Sequence, residues 1–253
     1  MSKTIYDYSH RQIELAFQQK DELSIEKETD YVFTKLLVVL STLFSDKLSA
    51  IKINKQELNY TNEYLFSITH KHNLLKWLTY LSNRSFPASD LEFGKLKIDF
   101  ETWYYELGGT SIEFMYHEQY LLKPKDAAEL LGISKVTLHK YIKQGLECMD
   151  NGSQNKIPKH AVELMRDPIY SIRMQMNDQK QKILQQTPEQ RLLEINQEII
   201  ELQLKYGKTT FQEAFTVHES ELEDPIDLYR WQDLTEEMEE IINGAGGRKH
   251  VEV

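Results

Sequence analysis

The stretch 127-AAELLGISKVTLHKYIKQG-145 decides how the middle of this chain folds. Gly132 interrupts an apolar run, and a glycine inside a helix costs about 1 kcal/mol relative to alanine, so it marks a break. Ser134 follows two residues later and is a good N-cap for a second helix. We therefore predict two helices joined by a tight turn, with Ile133 filling the corner between them.

The apolar side chains of the stretch give each helix one face directed at a core. In the first helix these side chains are Ala127, Leu130 and Leu131. In the second they are Leu138, Tyr141 and Ile142. Pro124 is suited to the first turn of the first helix. The small Ala128 lets the two helices approach closely, so the pattern predicts a helix-turn-helix.

The other face of the second helix is basic. Lysine and histidine side chains suit phosphates and guanine edges, and a valine can contact a thymine methyl group. The N-terminus of the helix adds its own partial positive charge. From these helices we predict contacts to double-stranded DNA from Lys125, Ser134, Lys135, Val136, Thr137, His139, Lys140 and Lys143.

The net charge of the chain is −10, but the charge is unevenly distributed. Residues 1–120 have a net charge of −4, residues 121–166 of +3, and residues 167–253 of −9. The segment that contains the quoted stretch is thus the only net basic one. A local basic patch is what phosphate contact requires, whatever the charge of the whole chain.

The residues after the quoted stretch continue the pattern with a β-hairpin. In 146-LECMDNGSQNKIPKHAVELM-165, the turn signal Asp150-Asn151-Gly152 separates two short strand-like runs. Pro158 then begins a further helix that contains Ala161, Val162, Leu164 and Met165. The predicted order is helix, turn, helix, β-wing, helix.

The segment 124–166 resembles the excisionase-type winged helix-turn-helix, which is related to the DNA-binding part of the mercury-resistance regulators. The resemblance implies that the exposed face of the second helix enters the major groove and that the wing, near Asn155 and Lys156, approaches the DNA backbone or minor groove. Wings of this type often carry arginine and an aromatic residue, whereas 150-DNGSQNK-156 has one lysine and one aspartate. Helix-turn-helix shapes also occur as packing modules with a solvated lysine face; the local charge and the wing together favour DNA contact.

The first 120 residues are predicted to form a mixed α/β domain whose role the sequence does not assign. Residues 9–19, about 30–44 and 61–81 are typical of helices, the last with a Thr61 cap. Apolar and polar residues then alternate in 95–106 and in 111–120, on either side of Gly108-Gly109. This alternation predicts a β-hairpin.

The remaining chain is predicted to contain a connector (167–187), an acidic helical region (188–242) and a disordered tail (243–253). Thr187, Pro188 and Glu189 signal the start of a helix. Segment 188–240 is similar to segments in small uncharacterised antitoxin-like proteins of bacteria and archaea. We expect its apolar residues to bind a basic protein, a toxin, or else to pack on this chain or on a second copy. These residues are Leu192, Ile195, Ile199, Phe211, Phe215 and Trp231.

Signals for an enzyme are weak. His70 and His72 point to different faces of a helix, so they are predicted to be solvated and not to bind a metal together. Asp99 and Glu101 alternate with apolar residues as on an exposed strand face. Cys148, the single cysteine, is predicted to be a packed thiol in a wing strand. We predict no catalytic residues, no metal and no cofactor.

These observations together predict a mainly α fold with small β elements (α+β), in which the winged helix-turn-helix of residues 121–166 is central. We expect a cytoplasmic, homo-oligomeric transcription regulator that does not contact membranes. Its most specific form is an autoregulating antitoxin of a toxin-antitoxin pair. An excisionase-like or phage architectural DNA-binding protein is one alternative. The other is an enzyme whose N-terminal domain is targeted by the DNA-binding module.

Overall fold

Two units, Met1–Gln185 and Gln186–Val253, divide the chain. The computed structural model describes residues 1–53, 58, 60–83, 89–150, 155–215 and 225–247. The described residues are mainly α-helical, with two small antiparallel sheets, which confirms the predicted fold class. No described helix combines the length and the apolar character needed to cross a membrane.

The first unit begins with a helical layer against a two-stranded sheet. Its elements are α1 (Lys3–Gln19), α2 (Glu22–Leu43), β1 (Leu48–Ile53), α3 (Asn62–Leu65), α4 (Ile68–Ser82), α5 (Asp90–Glu106) and β2 (Ile112–Tyr116). The helices predicted at 9–19 and 30–44 are confirmed. The helix predicted at 61–81 is divided, because Thr61 caps α3 and Ser67 caps α4 separately.

The first core contains stacked and tilted aromatic side chains from three helices. Phe33 of α2 stacks on Phe100 of α5, with ring centroids 5.3 Å apart, and Trp77 of α4 lies 6.0 Å from Trp103 of α5. All four side chains are at least 98% buried. Burial of such large apolar surfaces is the main source of stability in a domain of this size.

The hairpin predicted over 95–106 is wrong, because these residues belong to the helix α5. Ser89 and Glu92 form a capping box that starts this helix. Residues two apart on a helix point about 200° from each other, so alternating apolar residues place apolar groups on opposite faces. Phe100 packs in the first core and Ile98 in a second one. A helix buried on both sides thus imitates the alternation of a strand.

The second half of the predicted hairpin is a strand, but it has a different partner. In β2, Ile112, Phe114 and Tyr116 are buried and Glu113 is exposed, as alternation predicts. The strand pairs antiparallel with β1, with Ile53 opposite Ile112 and Leu48 opposite Tyr116. The two paired strands are more than 50 residues apart in the sequence, and the structure describes three helices between them.

The rest of the first unit surrounds the second core. Its elements are β3 (Leu121–Leu122), α6 (Pro124–Leu131), α7 (Lys135–Lys143), β4 (Met149–Asp150), β5 (Asn155–Pro158), α8 (Lys159–Leu164) and α9 (Pro168–Gln185). The strands form one sheet in the order β3-β5-β4. Helix α5 packs against both α8 and α9.

The second unit contains α10 (Pro188–Tyr206), α11 (Phe211–Ala214) and α12 (Pro225–Gly247). The predicted start of α10 is confirmed, since Thr187 and Gln190 form a capping box, and Gly207 ends the helix in the left-handed conformation. The predicted disordered tail begins at residue 243, but α12 continues to Gly247. Residues 248–253 lie outside the described part.

Candidate nucleic-acid interface

The turn between α6 and α7 forms as the sequence predicts. Gly132 ends α6 with φ of 67°, in the left-handed region that glycine adopts without a Cβ penalty. The amide of Ile133 donates to the carbonyl of Ala128 over 3.0 Å, which closes the turn. Ser134 then accepts a hydrogen bond of 3.1 Å from the amide of Thr137 and caps α7. The predicted break at Gly132 and the predicted N-cap at Ser134 are therefore both confirmed.

Packing of the two helices leaves one face of α7 in solvent. Leu138, Ala127 and Ala128 are buried in the second core with Ile157 and Val162. On the opposite face, Lys135, Val136, His139, Lys140 and Lys143 are exposed, and Val136 keeps 70% of its surface. No described carboxylate pairs with Lys135, Lys140 or Lys143. The exposed face therefore has uncompensated positive charge beside one apolar side chain.

Three further residues predicted to contact DNA are Lys125 on α6 and Ser134 and Thr137 at the N-terminus of α7. Lys125 is exposed in the first turn of α6, and Ser134 is exposed at the N-terminus of α7. Thr137 is half-buried, and its hydroxyl lies 2.9 Å from the hydroxyl of Ser134. The Ser134 hydroxyl caps the N-terminus of α7, directly before Lys135.

The apolar face predicted for α6 is only partly buried. Ala127 has no exposed surface, but Leu130 is 51% exposed. The core contacts of α6 are made by Ala127, Ala128 and the half-buried Leu131. Arg166, which follows α8, donates a 2.7 Å hydrogen bond to the carbonyl of Leu130 and closes the open C-terminal end of α6.

The β-hairpin after α7 pairs Met149 with Lys156 and Asp150 with Asn155. The turn signal at Asn151 and Gly152 lies outside the described residues. Lys156 forms an ion pair with Glu118, so the lysine expected at the DNA backbone has an acidic neighbour. Asn155 is half-buried. The described part of the hairpin therefore has less free positive charge than α7.

The residues predicted to bind a protein partner mostly serve the core of the second unit. Ile195 and Trp231 are buried there, and Ile199, Phe211 and Phe215 pack against them. Leu192 is half-buried. These apolar residues thus pack within the unit, which was one of the alternatives left open, and Ile195 and Trp231 offer no surface to a partner. Helix α12 covers this side of α10.

A buried charged cluster was missed in the sequence. Lys97 and Glu101 of α5 are only 3% and 8% exposed, and the Lys97 ammonium lies 2.6 Å from Glu101 and 2.9 Å from Glu147. Glu147 also accepts hydrogen bonds from Tyr116, at 2.6 Å, and from His160, at 3.0 Å. A helical interpretation of α5 would have shown Lys97 and Glu101 one turn apart, but the strand prediction placed Glu101 on an exposed face.

The two carboxyl groups of this cluster titrate differently. Burial raises the pKa of Glu101, and the nearby negative charge of Glu147 adds to that effect. Burial also opposes ionisation of Glu147, but the Lys97 ammonium and the hydrogen bonds from His160 and Tyr116 hold its pKa below the ordinary value. Burial lowers the pKa of His160 despite its carboxylate partner. The surroundings therefore stabilise the charged form of Glu147 more than that of Glu101.

Three further predictions concern single residues. His70 is buried, so the solvated histidine predicted there is wrong, whereas His72 is exposed as predicted. Asp99 is not part of a strand face but lies on α5, where it pairs with Lys76 at 2.7 Å and with Arg173. Cys148 lies directly before β4 and packs against the second core, as a packed thiol would.

Comparison with known proteins identifies one part of the chain. A family model described as a helix-turn-helix domain matches residues 121–165, which is under a fifth of the chain. No curated protein matches the chain, and no solved structure does. Residues 121–165 thus form a helix-turn-helix domain, which supports a DNA-binding regulatory role.

Proposed function

We propose that this protein is a sequence-specific transcription regulator that binds duplex DNA with α7 in the major groove. The observation that carries the proposal is the exposed face of α7, where three lysines without described acidic partners flank Val136. In this proposal the ammonium groups supply phosphate contacts and guanine contacts, and Val136 contacts a thymine methyl group. Because Glu118 pairs with Lys156, the hairpin contributes less to affinity than α7 does.

The test is anisotropy binding of the full-length protein to a labelled duplex from its own promoter, over a series of salt concentrations. We expect the Lys135→Ala/Lys140→Ala variant to lose at least tenfold in affinity. The plot of log K against log salt should become less steep, by about 0.9 for each phosphate contact removed.

The matched control is Lys3→Ala/Lys27→Ala, which removes two exposed positive charges from α1 and α2. This control should bind DNA like the wild type. Equal losses in both double variants would show that only net charge matters, and unchanged binding in the α7 variant would rule α7 out as the DNA-reading element.

We propose further that the second unit binds a basic protein, as an autoregulating antitoxin would. The support is its acidic composition, together with the exposed apolar side chains of Leu193, Ile200 and Leu204 on the outer side of α10. An apolar patch with an acidic surround favours a basic partner with an apolar anchor.

The test is co-expression with the product of the adjacent gene in the operon. We expect the two proteins to co-purify and the adjacent protein to arrest growth when expressed alone. Leu193→Ser/Leu204→Ser should abolish co-purification, while Leu23→Ser, at an exposed leucine of α2, should not. If the adjacent protein is harmless, or if the double variant still retains it, the antitoxin proposal is wrong.

The expected homo-oligomer is proposed to form through α9. Four side chains on its outer face are exposed and recur at spacings of three, four and seven residues: Ile169, Ile172, Met176 and Ile183. Such a stripe is suited to a second helix of the same kind. A second copy is the occupant we propose, because one short recognition helix reads few base pairs and two-fold pairing doubles the site.

A further inference from the structure

A cavity of about 290 Å³ lies beside the segment that follows α7. Its walls come from α5, α9, β2 and the residues Gly145–Met149. The volume is near the lower end of the range for small-molecule sites, roughly 300–1,000 Å³. None of the DNA contacts proposed above involves this cavity.

The charged residues in the cavity wall do not balance. Lys97 is the only buried cation there among the described residues, and it is shared by Glu101 and Glu147. His160 contacts Glu147, and burial opposes a positive charge on its ring by lowering its pKa. When both carboxyl groups are ionised, one negative charge is left uncompensated in a buried place, which is costly.

The other two carboxylates of the wall have their own partners. Glu113 pairs with Lys52 at 3.1 Å, and Asp178 pairs with Lys182 at 2.6 Å. Within the buried cluster, Glu147 accepts hydrogen bonds from Tyr116 and His160 besides its contact with Lys97, so the excess negative charge is less well compensated on Glu101. Glu101, Lys97 and Asn177 are each more than nine-tenths buried and line the cavity, so this is a set of fixed polar groups and not a mobile surface patch.

Most of the remaining wall residues are apolar, and several are polarisable. Tyr105 and Phe114 supply aromatic rings, and Cys148, Met149 and Met174 supply sulfur atoms. Aromatic rings attract cations through their π faces, and methionine adapts to irregular apolar shapes. The chemistry of the wall thus matches a positively charged head group on an apolar body.

We propose that this cavity binds a small organic cation, an amine with an apolar body, whose ammonium group compensates Glu101. We propose also that its occupancy is coupled to DNA binding through Gly145–Met149. The coupling rests on the proposed function, whereas amine binding does not.

The coupling has a structural route in the segment between α7 and β4. Gly145 has φ of 103°, and an added Cβ would lie 2.9 Å from the Cα of Gln175 in α9, so the backbone is held closely against that helix. Two residues later, Glu147 is held by Lys97, Tyr116 and His160. When a bound ammonium group pairs with Glu101, the Lys97 ammonium is freed to interact more strongly with Glu147. The stronger contact shifts the segment that joins α7 to the hairpin.

The test is calorimetric titration of the full-length protein with benzylamine and with its neutral analogue benzyl alcohol. We expect benzylamine to bind at least tenfold more tightly than the alcohol. Glu101→Gln removes the excess charge and leaves Lys97 paired with Glu147. We expect it to lower the affinity for benzylamine at least tenfold. The control Glu129→Gln, at an exposed residue of α6, should bind like the wild type.

A second variant separates the cavity from a general effect on the fold. Gln181→Trp places a large side chain at the cavity wall and should also lower the affinity for benzylamine at least tenfold. Thermal unfolding checks that both variants are folded. Equal affinity for the amine and the alcohol, or undiminished benzylamine binding in folded Glu101→Gln, would overturn the proposal. So would a wild type that gives no binding heat up to millimolar benzylamine.

Coupling to DNA is measured by repeating the benzylamine titration with the protein saturated by the promoter duplex, after subtracting benzylamine binding to the duplex alone. We expect at least a threefold change in amine affinity, since coupling between two sites is reciprocal. The Lys135→Ala/Lys140→Ala variant should keep wild-type amine binding without DNA. An unchanged affinity on DNA would overturn the coupling alone, so the failure of this inference and of the proposed function can be told apart.

Discussion

His70 is a buried base with an incomplete set of hydrogen bonds. Its Nε2 lies 2.9 Å from the hydroxyl of Thr29, and its Nδ1 is buried without a hydrogen-bond partner among the described residues. The rings of Phe17 and Tyr64 lie 6.1 Å and 5.0 Å away. Burial lowers the pKa of His70 to about 4. The residue therefore packs α4 against α2 in the neutral form.

This shift makes stability depend on pH. The unfolded chain binds the proton near the ordinary value of about 6.5, whereas the folded chain resists it down to about 4. The contribution of neutral His70 is thus complete above pH ~6.5 and is lost as pH falls towards 4, by about 3 kcal/mol in total. We expect His70→Gln to lose correspondingly less free energy of unfolding between pH 7 and pH 4, measured by urea unfolding.

The matched control for His70 is the exposed His72, two residues along the same helix. His72→Gln should follow the wild-type profile. Parallel profiles for His70→Gln and the wild type would contradict the assignment of acid sensitivity to His70.

The ends of α6 and α7 each depend on a glycine with positive φ, but their surroundings differ. Gly132 has open space where a Cβ would lie, within 4 Å. Gly145 has the Cα of Gln175 at 2.9 Å from that position. A left-handed conformation costs an ordinary residue roughly 1–2 kcal/mol, so this penalty applies at both sites. Only at Gly145 is a steric clash with a backbone added to it.

We therefore expect Gly132→Ala to lower the free energy of unfolding by about 1–2 kcal/mol and Gly145→Ala to lower it by more. Chemical denaturation of both variants beside the wild type measures the two losses. Equal losses would mean that α9 moves away from Gly145 at little cost, and the close packing described above would then not constrain the segment that leaves α7.

At the scale of the whole molecule, the exposed stripe of α9 is proposed to join two copies of the chain. Replacing Ile172 and Met176 with glutamate puts charge into an apolar contact, so we expect the double variant to have half the wild-type mass in light scattering after size exclusion. The control is Leu23→Glu/Val38→Glu, at two exposed apolar residues of α2. Helix α9 would be excluded as the dimer interface if the wild type were already monomeric at ~100 µM, or if the control variant also dissociated.

The sequence by itself determined the helix-turn-helix. Its signals are local: Gly132 ends one helix, Ser134 caps the next, and Leu138 is placed one turn later. Each depends on hydrogen bonds or contacts within about four residues, so the sequence order carries the information. The exposed basic face of α7 followed from the same periodicity, and the exposure of Lys135, Val136, His139, Lys140 and Lys143 agrees with it.

Only the tertiary structure decided what lies on either side of that domain. Residues 95–106 are apolar on two opposite faces, and whether such a segment is a helix or a strand depends on the surfaces that cover it, which come from distant parts of the chain. The same cause explains three other features. These are the pairing of β2 with β1, the packing of Ile195 inside its own unit, and the contact between Lys97 and Glu147. Each joins residues far apart in sequence, and no local preference encodes a contact whose partner is chosen only when the whole core is packed.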